Sequence, residues 1–86
     1  DSNMFIEVLT PESTIYVGDV KGVQLPGIDG SFEILENHAP LVAALGKGKM
    51  KIIVSNNEEK FYEIEGGFAQ TDHNKTAVLA EGAVAL

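Results

Sequence analysis

The chain has 86 residues, which is enough for one domain with one modest hydrophobic core and too few for two. Its 13 acidic and 6 basic residues give a net charge of −7, and only Lys47, Lys49 and Lys51 stand close together, so the composition excludes a nucleic-acid-binding surface, which needs a clustered positive face. Without cysteine there is neither a disulfide framework nor a thiolate metal site, and the longest apolar run, residues 41–45, is far shorter than the roughly 18 residues of a membrane span. We therefore expect a soluble chain that does not insert into a membrane.

Short runs of alternating polar and apolar residues recur along the chain, while the three- and four-residue spacing of a helix is almost absent. The runs are rich in β-branched and aromatic side chains and are separated by turn-forming residues. Eight strands are predicted in chain order, at residues 4–9, 15–17, 22–25, 32–35, 50–55, 60–65, 67–70 and 76–80. Turns are predicted at residues 10–12, 18–19, 26–27, 29–30, 56–57 and 72–74. This pattern predicts an all-β fold, a sandwich or a barrel of short strands.

Some details of this prediction stay open. Residues 39–45 fit a two-turn helix and an extended segment equally well, because the run is short and Pro40 stands near its start. In the strand at residues 60–65, either Phe61 or the pair Tyr62 and Ile64 faces the core. Residues 1–3 fit an added remnant before a native start at Met4, which leaves residues 4–86 as the domain.

No arrangement of residues predicts catalysis, a cofactor or a metal ion. His38 has no nucleophile motif such as Gly-x-Ser-x-Gly to act on, and His73 falls in an Asp-His-Asn turn that is typical of a solvated surface. The two histidines stand far apart in the sequence, without the spacing of metal ligands. Residues 46–49, Gly-Lys-Gly-Lys, lack the spacing and the hydroxyl group of a phosphate-binding loop.

The most informative feature of the sequence is the placement of glycine and proline, which frees or restricts the backbone. Residues 26–30, Pro-Gly-Ile-Asp-Gly, form a tight connection whose glycines free the backbone. Pro40 forces extended geometry on Ala39 before the apolar residues 41–45, and Gly46 ends that segment. A short apolar segment fixed at both ends is either core or a contact surface, and the sequence leaves both open.

Several of these residues stand in an order that resembles a known family. The order is Gly27, Gly30 and Ile34, then His38-Ala39-Pro40-Leu41, then Ala44, Leu45 and Gly48, with EGGFAQTDHNKTAVLAEGA later and MFIEVLTPESTIYVGDV at the start. Together these segments resemble the N-terminal domain of the epsilon subunit of the F-type ATP synthase, from Met4 to Ala85. The His-Ala-Pro-Leu and Gly-Gly-Phe motifs are specific at their matched separation, whereas either alone is weak.

The resemblance implies a fold and a role. The fold is a flattened sandwich of two antiparallel sheets. The role is that of a non-catalytic rotor subunit in the central stalk, which couples the gamma subunit to the membrane c-ring during proton- or sodium-driven ATP synthesis. Such a subunit needs no cofactor, is one copy in a hetero-oligomeric complex, and lies on the cytoplasmic face of an energy-transducing membrane.

The resemblance also implies contact residues. It places the gamma-subunit interface at His38, Leu41, Val42 and Ala43, with Thr10 as a weaker candidate. The loop that faces the c-ring corresponds to Ile28, Asp29, Gly30 and Ser31. In this interpretation His38 is a hydrogen-bonding contact beside an apolar surface, and it does not titrate in any reaction.

The sequence departs from the family pattern at three positions and at its end. Glu33 replaces a usual glycine, and as an outward residue of a strand it would face solvent. Glu36 and Asn37 replace a usual Pro-Gly, and Asn37 can adopt the left-handed backbone conformation as glycine does. Family members typically continue into a helical hairpin that acts as a conformational inhibitor. This sequence stops at Leu86, so we assign no inhibitory or nucleotide-sensing role to its residues.

Two other function classes compete with the rotor interpretation. A β-sandwich binding module of unrelated role predicts an aromatic platform, for which the chain offers two tyrosines, four phenylalanines and no tryptophan. A small hydrolase predicts a perturbed histidine. The rotor interpretation predicts stable binding to the gamma subunit without turnover.

Overall fold

Ten β-strands make up the computed structural model, which describes residues 3–86 and has no helix within them. The strands are β1 (Met4–Leu9), β2 (Thr14–Val20), β3 (Gly22–Gly27), β4 (Gly30–Leu35), β5 (Leu41–Leu45), β6 (Gly48–Ser55), β7 (Glu58–Ile64), β8 (Gly67–Asp72), β9 (Lys75–Ala80) and β10 (Ala83–Ala85). Of the predicted N-terminal remnant, residues 1–3, Asp1 and Ser2 lie outside the described residues.

The strands hydrogen-bond in the continuous order β10-β7-β6-β3-β5-β8-β9-β1-β2, with β4 paired to β3 beside this path. We call β5, β8, β9, β1 and β2 the front sheet, and β10, β7, β6, β3 and β4 the back sheet. Residues of both sheets pack into one shared core. Neighbouring strands are antiparallel, except that β1 and β9 run parallel with Phe5 beside Lys75 and Leu9 beside Leu79. The predicted all-β sandwich of short strands is confirmed.

One residue pair and the crossings of the chain connect the two sheets. On one side a single residue pair, Gly27 with Leu45, connects β3 to β5. Where the chain crosses from β2 to β3, the amide of Lys21 donates to the carbonyl oxygen of Ile53 in β6 at 2.8 Å, which extends the pairing of β3 with β6. The sandwich is therefore almost closed.

Alternation along the strands builds the core between the two sheets. In β1, Met4, Ile6 and Val8 point inward and are at most 1% exposed. The other strands add Val20, Val23, Leu25, Ile34, Leu45, Met50, Ile52, Ile64, Ala69, Val78 and Ala80. Two buried polar side chains satisfy each other, because the Thr76 hydroxyl donates to Thr71 Oγ1 at 2.9 Å. Burial of each large aliphatic side chain contributes about 1.5–3 kcal/mol, so the alternation fixes which residues of each strand point outward.

All eight predicted strands are present, and two more are added. The segment 39–45, which fitted a helix or an extended segment, is extended: its residues 41–45 form β5, because all five pair with β8. The unpredicted β10 is a three-residue strand against β7, too short for a periodic pattern to indicate it. In β7 it is Tyr62 and Ile64 that face inward, since Ile64 is fully buried while Phe61 is 36% exposed.

Two predicted turns were wrong. Gly18-Asp19 lies inside β2, where Gly18 pairs with Ile6 of β1. Pro26-Gly27 lies inside β3, since Gly27 pairs with Gly30 and only residues 28–29 connect β3 to β4. A Cβ atom at Gly27 would lie 2.6 Å from the Gly30 carbonyl oxygen, so this glycine serves close strand pairing.

Candidate functional site

Exposed apolar side chains cover part of the outer surface of the front sheet. Residues next to core positions point outward, and on three adjacent strands these are Val42, Phe68 and Leu79, which are 73%, 59% and 53% exposed. Together with Gln70 and Ala77 they line one shallow depression. We call Val42, Phe68, Ala77 and Leu79 the apolar face. Contiguous exposed apolar surface of this kind marks an interaction site.

The Gly66-Gly67 pair determines how β8 begins beside β9. Both glycines have positive φ, 126° at Gly66 and 142° at Gly67. A Cβ atom at Gly67 would lie 1.9 Å from the carbonyl oxygen of Leu79, far inside any real contact distance. Only glycine therefore permits the register in which Phe68 pairs with Leu79. The Gly-Gly-Phe motif is thus a backbone requirement of the apolar face.

His38 lies in the turn between β4 and β5. The preceding Asn37 has a φ of 62°, the left-handed conformation that was predicted for it. The His38 amide donates to the carbonyl oxygen of Leu35 at 3.2 Å, and the ring Nδ1 lies 2.7 Å from the carbonyl oxygen of Ala39. Because a carbonyl oxygen only accepts, Nδ1 donates, which in the neutral ring leaves Nε2 as an acceptor for a neighbouring group.

The predicted interface residues of β5 point in two directions. Val42 points outward and is the most exposed large apolar residue among those the structure describes. Leu41 is half-buried and packs against the core, and Ala43, two residues on, is half-buried on the same side of the strand. Of these three side chains, Val42 forms the outer surface, while Leu41 and Ala43 anchor the strand beneath it.

Thr10 follows β1 at the end of the front sheet away from His38. Its Oγ1 accepts a hydrogen bond from the amide of Ser13 at 3.2 Å, so the hydroxyl group stabilises its own turn. Thr10 also lines a depression together with Phe68 and Leu79. The apolar face therefore has His38 beyond one end and Thr10 at the other.

The exposed tip of the β3–β4 hairpin consists of Ile28, Asp29, Gly30 and Ser31. Ile28 is 65% exposed, yet its amide donates to the carbonyl oxygen of Ala44 at 3.2 Å. The amide of Gly46 in turn donates to the carbonyl oxygen of Pro26 at 2.7 Å. These bonds fix the hairpin tip beside the C-terminal end of β5, whereas His38 precedes the N-terminal end of that strand.

The second histidine is a surface residue, as predicted. The side chain of His73 is 91% exposed, and its Nδ1 lies 2.8 Å from Asp72 Oδ1. Within residues 3–86, no group of three or more His, Asp or Glu side chains is arranged to hold a metal ion. Across the same residues we find no helix with the length and apolar character needed to cross a membrane.

A comparison with known families identifies this sandwich. The family model described as the ATP synthase delta/epsilon chain, beta-sandwich domain, matches residues 3–86. The chain belongs to this family. The resemblance indicated by the His-Ala-Pro-Leu and Gly-Gly-Phe motifs is therefore confirmed.

Two relatives show the extent of the likeness. The chain is 40% identical over 81 residues to the ATP synthase epsilon chain of Chlorobium limicola, which covers 94% of this chain and 92% of the relative. It is 42% identical over 83 residues to the ATP synthase epsilon chain of Syntrophomonas wolfei, which covers 96% of this chain and 61% of that relative. The chain is thus an epsilon-type subunit of ATP synthase, which is not itself the catalytic part of the enzyme.

Solved structures share the fold of this delta/epsilon-family chain. A chain in the cryo-EM structure of the Euglena gracilis mitochondrial ATP synthase, OSCP/F1/c-ring, matches with a TM-score of 0.92 at 18% identity, over 99% of this chain and 54% of that chain. A chain in the Tetrahymena thermophila mitochondrial ATP synthase central stalk and c-ring matches with a TM-score of 0.78 at 17% identity, over 94% and 65%. At these identities the likeness establishes the sandwich fold.

Sequence reasoning missed three residues of the apolar face, Phe68, Ala77 and Leu79. A usable signal lay in β9, where the outward Ala77 and Leu79 alternate with the buried Val78 and Ala80. A strand with apolar residues on both faces is typical of a sheet covered on both sides. The composition of β9 therefore indicated a second covered surface in this epsilon-type chain.

Proposed function

We propose that this chain is a rotor subunit of the ATP synthase central stalk, which connects the gamma subunit to the c-ring and has no turnover of its own. The observation that carries the proposal is the apolar face on a chain of the ATP synthase delta/epsilon family. Val42, Phe68 and Leu79 are all more than half exposed, which favours a partner that covers them. The coupling ion in this role is a proton or a sodium ion.

The gamma-subunit contact is assigned to the front sheet, with His38, Leu41, Val42, Ala43 and Thr10 as its residues. Val42 supplies the central apolar contact together with Phe68 and Leu79. Leu41 and Ala43 hold β5 against the core, so that Val42 keeps its outward position. His38 and Thr10 supply polar groups at the two ends, in keeping with interfaces that combine an apolar centre with a polar periphery.

The c-ring contact is assigned to the hairpin tip, Ile28, Asp29, Gly30 and Ser31. Backbone hydrogen bonds hold this tip, and all four residues are exposed. Asp29 and Ser31 offer hydrogen-bonding groups to polar loops, and Ile28 offers a small apolar contact. The tip and the apolar face use different residues, which allows one chain to bind two partners at once.

The proposed role also gives the chain a place in the cell. As part of a peripheral complex it lies on the cytoplasmic face of an energy-transducing membrane, held there by its partners. The Tetrahymena thermophila chain that shares this fold belongs to a cryo-EM structure of the mitochondrial ATP synthase central stalk and c-ring. The chain is one copy within this hetero-oligomeric complex.

The test is complex formation with the cognate gamma subunit, measured on a sizing column and by titration calorimetry. We expect a one-to-one complex at micromolar concentration. Val42→Asp puts a charge into the apolar contact and is expected to weaken binding at least about tenfold. Circular dichroism checks that the variant keeps its fold.

A matched control is available on the back sheet. Val84 of β10 is 63% exposed, so Val84→Asp introduces the same charge at a similar exposure. Val84 lies outside the depression of the apolar face. The depression that it does line includes one assigned interface residue, Thr10, the weaker candidate. We expect its gamma affinity to stay within about twofold of the parent chain. Absence of a complex with the parent chain, or equal losses for the two variants, would contradict the proposal.

A further inference from the structure

Two asparagines join the turns that hold the two histidines. The amide of Asn37 donates to Asn74 Oδ1, and Asn74 Nδ2 donates to Asn37 Oδ1 at 3.0 Å. The two residues stand 37 positions apart, one in the β4–β5 turn and the other in the β8–β9 turn. We call this reciprocal pair the Asn clamp. It ties the segment before His38 to the β8–β9 turn at the same end of the front sheet.

The backbone at the Asn clamp adopts an uncommon left-handed conformation. Asn37 and Asn74 both have a φ of 62°, and His73 has a φ of 50°. Asparagine adopts this left-handed region more readily than most residues do. Positive φ at both central residues of a two-residue connection, His73 and Asn74, is the geometry of a tight β-hairpin. The clamp thus joins two turns that are each already fixed in shape.

We propose that the Asn clamp positions His38 for the gamma subunit, so that Asn74 acts on binding through His38 without touching the partner. This inference rests on the proposed function. His38 directly follows Asn37, and the half-buried imidazole bonds to its own neighbour Ala39. A side chain held in place before association loses less conformational entropy when it binds. The clamp therefore makes His38 a preorganised contact.

The position of the clamp beside the apolar face supports this inference. Asn37, His38, Pro40 and His73 line one depression at this corner of the sandwich. Two residues after Pro40 comes Val42, the outward residue of β5. A shift of the corner would therefore move His38 relative to Val42, and a single partner could then no longer meet both equally well.

The test uses a substitution that removes the clamp and keeps the turn. Asn74→Gly deletes both clamp hydrogen bonds, while glycine retains the left-handed conformation. We expect it to weaken gamma binding by about three- to tenfold, the effect of having to order one side chain, His38, when the complex forms. His73→Gly is the matched control, since it makes the same change one residue earlier and leaves the clamp intact. Its affinity is expected to stay within about twofold.

A double-mutant cycle separates positioning from direct contact. If Asn74 acts through His38, then Asn74→Gly causes no further loss of affinity in a His38→Ala background. An equal loss in both backgrounds would overturn the inference and leave the proposed function standing. No binding by the parent chain would overturn the proposed function and this inference with it.

Amide hydrogen exchange tests the clamp without any partner. The Asn37 amide is expected to exchange faster in Asn74→Gly than in the parent chain or in His73→Gly, because its acceptor is lost. An unchanged exchange rate would overturn the clamp itself.

Discussion

The two outer surfaces of the sandwich are built by the same alternation and present different chemistry. On the back sheet Lys51 pairs with Glu59 at 3.9 Å, and Lys49 Nζ lies 5.6 Å from the ring centre of Phe61. That phenylalanine is 36% exposed, whereas Phe68 on the front sheet is 59% exposed. The chain partly covers the back phenylalanine with its own lysine, and it leaves the front one more exposed.

This contrast shows what strand alternation determines and what it leaves open. Alternation decides which side chains leave the core, and the core residues are equally well buried in both sheets. The composition of the outward positions then decides whether water or another protein covers them. For this epsilon-type chain, the front sheet is the surface that we propose a partner covers.

The largest expected effect is on the backbone that forms the front surface. Gly67→Ala places a Cβ atom 1.9 Å from the Leu79 carbonyl oxygen, at a residue whose φ is 142°. We expect the free energy of unfolding, measured in urea, to fall by about 3 kcal/mol or more. Gly30→Ala is the control, since its φ is 128° but no atom beyond its two chain neighbours lies within 4 Å of the added Cβ. It is expected to cost about 1–2 kcal/mol of backbone strain alone. Equal losses of unfolding free energy for the two variants would show that the close approach of β8 and β9 does not contribute to the cost of Gly67→Ala.

A second prediction compares the two phenylalanines directly. Phe68→Ala is expected to weaken gamma binding by about tenfold or more, because exposed aromatic residues are typical anchors of interfaces. Its own stability is expected to change by less than about 1 kcal/mol, since Phe68 is mostly exposed. Phe61→Ala is expected to leave gamma binding unchanged and to lose about 0.5–1 kcal/mol of stability with the lysine contact. Titration calorimetry and urea unfolding of both variants give the comparison. A larger loss of gamma affinity for Phe61→Ala than for Phe68→Ala would reverse our assignment of the two surfaces.

The smallest expected effect concerns the charges of the back sheet. Lys51 and Glu59 have side chains that are 28% and 46% exposed, so solvent screens much of their attraction. Lys51→Gln is therefore expected to lower the free energy of unfolding by less than about 1 kcal/mol and to leave gamma binding unchanged. Thermal unfolding at low and high salt measures the first effect. A loss of gamma affinity would show that the back sheet also contacts this partner.

Much of the fold could be predicted from the sequence, because local patterns and the core agree. The alternation of Met4, Ile6 and Val8 predicted β1 with its observed bounds. The substitution of asparagine for a usual glycine at position 37 predicted a left-handed residue, and its φ of 62° confirms this. Glu33, expected to face solvent, is exposed on β4. Each of these features depends on the residue itself or on its immediate neighbours.

Features that depend on distant pairing could not be predicted in this way. Strand β10 exists because Val84 pairs with Glu63 of β7, and three residues contain no periodic signal. The hydrogen bonds between Asn37 and Asn74 join residues far apart in the chain, which no local pattern reports. The apolar face likewise requires the order β5-β8-β9, which brings Val42, Phe68 and Leu79 together.

The most direct test of the account is chemical accessibility of the front surface in the complex. The chain has no cysteine, so Val42→Cys and Val84→Cys each provide a single thiol whose alkylation rate can be followed by mass spectrometry. We predict that the gamma subunit slows alkylation at position 42 by at least about tenfold and leaves the rate at position 84 unchanged. Equal alkylation rates at position 42 in the free chain and in the complex would contradict the assignment of the apolar face to the gamma subunit.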